Sequence, residues 1–419
     1  MDVVTAFLNG EVLEEIYMQP PQGYPHPGKV LRLQKAIYGL KQSLRMWFRK
    51  LKQWLLDSGW TSSNYDECVF YHRRMGLILT VYVDDINIFG KDIRTIEQFK
   101  RDISQAFKMT DAGRAAWYLG LQLDWKPNGI HLHQNGFINQ ALARYGLIGT
   151  SPAAIPVDPT KKLLKETEAT AEPKFKTAYM SMVGSLNYMQ TKTVWPLAFL
   201  VSLFSRHMSN PNQSHMDAVL QGYRYVAGYS KLGLFYSRTG ESQLRGYVDA
   251  DWGGDTDTGR STTGWIFTLA GAPVSWSSTR QKTVAGSSTE AEYVAASDAC
   301  KEAVWLRNFH NEIADVMNRA PQQTIPLSVD NKSALKLTRN PEFHSRTKHI
   351  NIRHHFIREC VERGEVVPDW IPGKDNPADL LTKPLARTMF EENIKRLGGG
   401  MPPSQTPSGS SAHDAIPSA

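Results

Sequence analysis

The segment Leu77-Ile78-Leu79-Thr80-Val81-Tyr82-Val83-Asp84-Asp85-Ile86-Asn87-Ile88-Phe89 is two apolar runs that meet at a pair of acids. Runs of this length and composition predict two strands, joined as a β-hairpin with the carboxylates at its tip. Adjacent carboxylates in a segment otherwise fit for burial are costly unless solvated, paired or bound to a cation. Neighbouring side chains on a strand point to opposite faces, so a tight turn is needed to present both acids together. Read in isolation, such a pair is most often a polar hairpin turn.

Around the hairpin, residues 35–57 predict an amphipathic helix stopped at Ser58-Gly59, and 94–108 a second helix. The segment Met1-Asp2-Val3-Val4 reads as the middle of a strand. A polar stretch at about 151–175 predicts a linker, and 176–239 read as helices, including 177–205 and 213–230. A second α/β pattern begins near Leu244. Its predicted strands are 244–249, 264–269 and 273–278, followed by a long helix from 289 to about 311. Then come a strand ending at Asp330, a short helix, a basic helix at 348–362, a strand at 366–371 and a last helix after Asn376. This order suits a mixed sheet with helices packed on it. The run from Leu244 to about Leu385 is long enough for a core of its own. The Pro-, Ser- and Gly-rich tail after Gly398 predicts disorder. The fold class expected is a multidomain α+β and α/β chain.

Composition narrows the function. The 419 residues include 48 Lys and Arg against 41 Asp and Glu, a net charge of +7. That balance suits a polyanionic partner without requiring one. Cys68, Cys300 and Cys360 lie far apart with no CxxC, which excludes a disulfide framework and a Cys-based zinc module and points to a reducing compartment. No apolar run approaches the ~18 residues of a membrane span, and the start lacks a signal-peptide pattern.

Four further acids sit on separate predicted elements. Asp249 ends a strand, Glu292 lies in the first turn of the long helix, Asp330 ends a strand and Asp379 opens the last helix. Thr289-x-x-Glu292 and Ser287-x-x-Glu290 both fit a capping box, which would make Glu292 a cap. Against that, Glu292, Ala296, Ala299, Ala303 and Leu306 share one helical stripe, which turns Glu292 toward the sheet edge near Asp249. Asp251 and Glu290 are the rivals of Asp249 and Glu292. In the basic segment, Arg346, Lys348, Arg353 and Arg358 read as phosphate contacts. A zinc reading of His344, His349, His354 and His355 lacks companion ligands. Asp57-Ser58-Gly59 matches the aspartic-protease triplet but ends a helix.

Tyr82-Val83-Asp84-Asp85, Asp2-Val3-Val4-Thr5-Ala6-Phe7-Leu8-Asn9-Gly10, Tyr38-Gly39-Leu40-Lys41-Gln42-Ser43 and Leu119-Gly120-Leu121 resemble, in order, the polymerase motifs of copia-type LTR retrotransposons. Gly246-Tyr247-Val248-Asp249-Ala250-Asp251-Trp252, Ser287-Ser288-Thr289-Glu290-Ala291-Glu292-Tyr293, Val329-Asp330-Asn331 and Asn376-Pro377-Ala378-Asp379-Leu380-Leu381-Thr382-Lys383 resemble the ribonuclease H domain of the same polyproteins. The resemblance implies a reverse-transcriptase palm at 1–122, a thumb or connection region at 123–240, a ribonuclease H-like domain at 244–388 and a tail at 398–419.

It also implies two-metal phosphoryl transfer. Asp2 and Asp84 would hold two Mg²⁺ ions about 4 Å apart, with Asp85 in support. Phe7 would reject a ribose 2′-hydroxyl, and Gln42 would lie near the incoming nucleotide. Asp249, Glu292, Asp330 and Asp379 would hold two more Mg²⁺ ions, with Mn²⁺ as substitute, and cleave RNA paired to DNA. His349 would assist product release, a solvated histidine being the equal alternative. The implied partners are RNA–DNA hybrid, primer-template and deoxynucleoside triphosphates, with no membrane. The implied location is intracellular: the cytoplasm, in a virus-like particle, or the nucleus.

Departures set a limit. The family carries a strand and a basic fingers subdomain ahead of the position of Asp2, and those fingers supply the triphosphate clamp. Leu44 stands where a Pro is usual, Met46 where a small residue is usual, and Asn351 where an Asp is usual. Trp195-Pro196-Leu197 replaces an Arg-Pro-Asp run. The expected function is a hybrid-cutting nuclease with a polymerase half inactive by itself. The alternative is a decayed relic without catalysis, binding nucleic acid passively at most.

Overall fold

The structure, a computed structural model, describes residues 1–25, 28–168, 171–228, 233–339 and 356–398. It forms two compact units, one of Met1–Ala115 with Trp305–Gln322, the other of Ala116–Val304 with the chain from Gln323 onward.

In the first unit the strands are β1 (Asp2–Val3), β2 (Tyr17–Met18), β3 (Leu31–Arg32), β4 (Thr61–Ser62), β5 (Val69–His72), β6 (Leu77–Tyr82), β7 (Asp85–Gly90) and β8 (Met109–Thr110). Six of them make an antiparallel sheet in the order β4-β5-β6-β7-β1-β8. The β6–β7 hairpin pairs from Leu77↔Gly90 to Tyr82↔Asp85, as the apolar runs predict. Its turn places Val83 at φ 58, a left-handed conformation that a β-branched residue rarely adopts. The Trp47 indole holds that turn by donating to the Val83 carbonyl at 2.6 Å.

Trp47 lies on α1 (Ser43–Asp57), which starts later than the expected residue 35. Gly39 sits at φ 98, and the Ala36 amide is taken by the Gly10 carbonyl, so the chain up to Gln42 cannot be helical. A β-carbon at Gly10 would lie 3.0 Å from the Met46 β-carbon, so Met46 packs directly over a glycine. The second helix, α2 (Ile93–Ala106), is capped by Asp92, which accepts from the Arg94 amide at 3.0 Å. Trp47, Leu51, Leu55, Phe70, Leu79, Phe99 and Ile103 form the core between helices and sheet. On another face Val316 packs with Val69, Tyr71 and Ile78.

The second unit holds two sheets. The first has β9 (Trp117–Tyr118), β10 (Leu121–Lys126), β11 (Gly129–His133) and β12 (Gly233–Ser237), in the order β12-β11-β10-β9. β12 falls where a helical stretch was expected; Leu234, Phe235 and Tyr236 suit a pleated surface, and pairing with β11 decides the outcome. The helices are α3 (Asn135–Arg144), α4 (Pro173–Gln190), α5 (Ala198–Ser205) and α6 (Gln213–Gly228). The helix expected over 177–205 is broken between α4 and α5, where Pro196 in a 3-10 turn removes a donor and restricts Trp195.

The second sheet has β13 (Arg245–Ala250), β14 (Thr262–Leu269), β15 (Ala272–Arg280), β16 (Ile325–Val329) and β17 (Val366–Trp370), in the order β15-β14-β13-β16-β17. β15, β14 and β13 pair antiparallel, and β13, β16 and β17 pair parallel. This is the expected mixed sheet. Its helices are α7 (Ser288–Val316), whose part from Trp305 onward belongs to the first unit, α8 (Lys332–Arg339), α9 (Phe356–Glu362) and α10 (Arg387–Arg396). The last helix does not start after Asn376. A 3-10 turn at Pro377–Leu381 comes first, and Pro384 delays α10 to Arg387. Most of the basic helix expected at 348–362, with Arg346, Lys348, His349 and Arg353, lies outside the described residues, as does the tail beyond Gly398.

One apolar cluster joins Tyr179, Leu186, Phe204 and Tyr223 of the helices to Ile266, Leu380, Leu381 and Phe390. The mixed sheet therefore shares its core with α4 to α6 instead of closing one of its own.

Candidate active sites

The acids Asp2, Asp84 and Asp85 lie close together on the first unit's sheet. Asp2 on β1 stands directly opposite Asp85 on β7, and the Val3 amide donates to the Asp84 carbonyl at 2.9 Å. Burial, then the charges of Asp84 and Asp2, pushes the Asp85 carboxyl above its ordinary range. Phe7 lies on a 3-10 turn, its ring 4.6 Å from that of Tyr38. Gln42 immediately precedes α1, its carbonyl accepting from the Met46 amide.

The second unit's acids are more deeply set. Asp249 is 1% exposed near the end of β13, opposite Gly264 on β14. A β-carbon at Gly264 would fall 2.7 Å from Leu381 Cβ and Thr382 Cγ2, so only glycine lets the 381–382 turn close over the sheet here. Asn376 pins the start of that turn. Its Nδ2 donates to the Val248 carbonyl at 2.9 Å, and its Oδ1 accepts from the Ala378 amide at 3.2 Å. Thr382 closes the other end by donating its hydroxyl to Asp249 Oδ2.

Glu292 reaches the same place from the first turns of α7, and Asp330 from the residue after β16. One carboxylate oxygen each from Asp249, Glu292 and Asp330 lie within 4.8 Å of one another. Asp379, on the 3-10 turn, lies beside Asp249; burial first, then the charge and the side-chain hydrogen bond of Asp249, raise its carboxyl. Its Oδ1 is 2.8 Å from Lys383 Nζ, which is also 3.9 Å from Asp249 Oδ2.

The electrostatics follow from burial. The Glu292 carboxyl is held well above the carboxylate range, first by desolvation and then by the charges of Asp249 and Asp330. Desolvation and then Asp249 push Asp330 and Asp379 the same way. Burial alone would lower Lys383, but Asp249 and Asp379 outweigh it and raise the ammonium. Glu292 Oε2 is buried with no hydrogen-bond partner among the described residues. An ionised oxygen left so is strongly unfavourable unless a cation takes it up. An all-oxygen donor set of this kind fits a hard divalent ion such as Mg²⁺.

The rivals are placed elsewhere. Asp251 accepts from the Thr262 amide and lies outside the trio, its carboxyl pushed up to about 6 by burial. The capping box closes on Glu290, whose amide donates to Ser287 Oγ and whose Oε2 accepts from the Gly286 amide at 2.8 Å. Glu292 is thereby left to face the sheet. Arg358 turns inward, its Nε donating to the Leu337 carbonyl at 2.9 Å and its guanidinium 5.8 Å from the Tyr293 ring. Asn376, Thr382, Lys383 and Gly264 were not singled out from the sequence. The one signal for Lys383 was its spacing of four from Asp379, which brings two side chains together on a helical turn. A separate group, Asp124, His131 and His133, is a cross-strand set on β10 and β11, with His133 Nε2 3.6 Å from Asp124 Oδ2.

An acid pair on a hairpin tip, followed by a mixed five-stranded sheet with buried convergent carboxylates, defines the class: a reverse transcriptase joined to a ribonuclease H-like fold. Residues 1–159 match the model of the reverse transcriptase (RNA-dependent DNA polymerase) family. The retrovirus-related Pol polyprotein of transposon TNT 1-94 from Nicotiana tabacum is 38% identical over 403 residues, covering 93% of this chain and 30% of the relative. That of transposon RE1 from Arabidopsis thaliana is 37% identical over 404 residues, covering 95% and 27%. A Ty5-1 transposon protein of Saccharomyces cerevisiae is 30% identical over 311 residues, covering 72% of this chain and 100% of its own length. The chain belongs to the copia-type retrotransposon Pol family. It spans less than a third of the TNT 1-94 and RE1 polyproteins. Among solved structures, ribonuclease H1 of Halobacterium salinarum NRC-1 aligns with 33% of this chain and 94% of its own, at 18% identity and a TM-score of 0.24.

Proposed function

We propose that the second unit cleaves the RNA strand of RNA–DNA hybrids, with Asp249, Glu292 and Asp330 holding a divalent cation. The observation that carries this reading is the convergence of the buried Asp249 and Glu292 with the half-buried Asp330, which leaves a Glu292 oxygen without a hydrogen-bond partner. When bound, Mg²⁺ or Mn²⁺ supplies Lewis-acid charge at the scissile phosphate. The chain's own residues do the rest. Thr382 fixes the rotamer of Asp249 through Oδ2, and Asn376 fixes the turn that carries Thr382 and Asp379. Preorganised groups of this kind need no rearrangement as charge develops in the reaction. Arg346, Lys348 and Arg353 are proposed to track the hybrid's phosphates and His349 to assist product release, whereas Arg358 packs inward against Leu337 and Tyr293.

In the first unit, Asp2, Asp84 and Asp85 are proposed as the Mg²⁺-binding acids of the polymerase, with Phe7 and Gln42 lining the nucleotide site for primer-template and deoxynucleoside triphosphates. No helix among the described residues is long and apolar enough to cross a membrane. We place the work in the cytoplasm, within a particle, or in the nucleus, where such hybrids form.

The test is a gel assay with the full chain and an RNA–DNA hybrid labelled on the RNA. Cleavage with Mg²⁺, none with EDTA, none of single-stranded RNA and none by Asp249→Asn is the expected pattern. A folded wild type that leaves the hybrid intact overturns the proposal.

A further inference from the structure

Away from the acid clusters, β10 and β11 bring together residues of a different ligand chemistry. His131 and His133 stand two apart on β11, so both imidazoles leave the same face of the sheet. Asp124 on β10 pairs directly with His131 and shares that face. One ligand atom each from Asp124, His131 and His133 lie within 4.8 Å of one another. We propose that these three residues form a zinc site, separate from the carboxylate clusters and independent of the nuclease reading.

The geometry is close to what one ion requires. Zinc bonds of about 2.0 Å at tetrahedral angles set two ligand atoms about 3.3 Å apart. His133 Nε2 already lies 3.6 Å from Asp124 Oδ2, and the two imidazole rings are 4.9 Å apart with 34° between their planes. Small side-chain rotations close the set. The neighbouring strand makes room for it. Gly233 on β12 stands opposite His133, and a β-carbon there would lie 2.5 Å from His131 Nε2, so a side chain at 233 would displace that imidazole.

Both histidines are buried, whereas the Asp124 side chain is 47% exposed, so an ion enters from the Asp124 side and keeps a position there for water. Two interactions compete with it. Lys126 Nζ lies 3.5 Å from Asp124 Oδ2, but both side chains are exposed and such surface pairs contribute little. The Asn135 amide donates to His133 Nδ1 at 3.4 Å, a long bond that is given up when the metal takes Nε2 and the ring proton moves to Nδ1. Imidazole nitrogens suit Zn²⁺, while all-oxygen clusters suit Mg²⁺, so the two kinds of site separate by metal. A zinc ion held here ties β10 to β11 through side chains as well as through the ladder.

The test soaks crystals of the full chain in Zn²⁺ with Mg²⁺ in large excess, which keeps the carboxylate clusters filled. Anomalous difference maps on either side of the zinc edge give both the element and its place. The expected result is a zinc peak within bonding reach of Asp124, His131 and His133. In solution, Zn²⁺ is titrated against a chromophoric chelator in the same Mg²⁺. Residues that merely support a metal ligand already change affinity by about 10-fold or more. Asp124→Ala, at an exposed position, is therefore expected to weaken one zinc by at least about 10-fold, and His133→Gln to do the same. Circular dichroism shows whether each variant is folded. A map without zinc between these three residues, or an isotherm unchanged in a folded Asp124→Ala, overturns the proposal.

Discussion

The Thr382 hydroxyl donates to Asp249 Oδ2, a bond between residues 133 apart in sequence that ties the two ends of the mixed-sheet region together at its most buried acid. Thr382 is itself fully buried, so this donor has no solvent substitute. Thr382→Val keeps the shape and removes the hydroxyl. Losing one buried hydrogen bond to a charged group is expected to cost about 2 kcal/mol of stability in Mg²⁺. Hybrid cleavage should fall by roughly 10-fold or more through misorientation of Asp249. Denaturant titration and the gel assay check both, and a variant with unchanged cleavage would show that Thr382 does not orient Asp249.

Asp249→Asn should separate chemistry from stability. It removes one of several carboxylate charges packed together without an ion, so in EDTA the variant should melt higher than wild type. A gain of about 1 kcal/mol corresponds to roughly 2–4 °C for a unit of this size. Adding Mg²⁺ should raise the wild-type melting temperature and leave that of the variant unmoved. Calorimetry in both buffers decides it; a variant that melts lower in EDTA contradicts the repulsion described for the trio.

The raised carboxyls set a pH dependence. A carboxyl whose folded pKa lies above its unfolded value holds its proton more tightly when folded. Stability is therefore full below the ordinary carboxylate range and is lost as pH rises toward the folded value. Glu292, Asp330 and Asp379 all shift upward, and Asp251 reaches about 6. Metal-free protein should lose stability as pH climbs from about 4 through neutrality. Mg²⁺ should flatten most of that slope while leaving the part due to Asp251, which is outside the trio. Melting curves from pH 4 to 8 with and without Mg²⁺ test this; parallel slopes would mean that the acids do not bind the ion.

In the first unit, the Val83 turn depends on the buried Trp47 indole. Trp47→Phe leaves the Val83 carbonyl without its donor and is expected to destabilise that unit by roughly 2 kcal/mol. Indole is the only part of the side chain that reaches the turn as a donor, so Trp47→Phe and Trp47→Leu should both lose it. Urea denaturation of the full chain, followed by far-ultraviolet circular dichroism, should show an earlier first transition. An unmoved transition would show that the turn at the acid pair holds without Trp47.

The shared core bears on how the chain can be cut. A fragment of residues 240–390 lacks α3 to α6, which cover Ile266, Leu380 and Leu381. Such a fragment should melt well below the corresponding transition of the full chain or self-associate. Size-exclusion chromatography and a thermal melt check this. A monomeric fragment that melts with the full chain would mean that the helices contribute little to the mixed sheet.

Much of this was legible in the sequence, for local reasons. The β6–β7 hairpin follows from apolar runs interrupted at Asp84 and Asp85. The stripe through Glu292, Ala296 and Ala299 separates a sheet-facing acid from the cap at Glu290, because helical period and capping are both short-range. The illegible parts are those that distance decides. β12 pairs with β11, Gly129 opposite Ser237, and nothing near Gly233 foretells a partner so far back in the chain. Thr382 and Gly264 matter only because the fold closes the 381–382 turn over β14. The lysine that occupies Asp379 reads, in sequence, as an ordinary exposed residue beside a proline.

The most direct measurement is the anomalous difference map of crystals of the full chain grown with Mn²⁺. The account predicts a strong peak within bonding reach of carboxylate oxygens of Asp249, Glu292 and Asp330 together, with Glu292 Oε2 among its ligands. Manganese density elsewhere in the crystal, with none between those three residues, would contradict it.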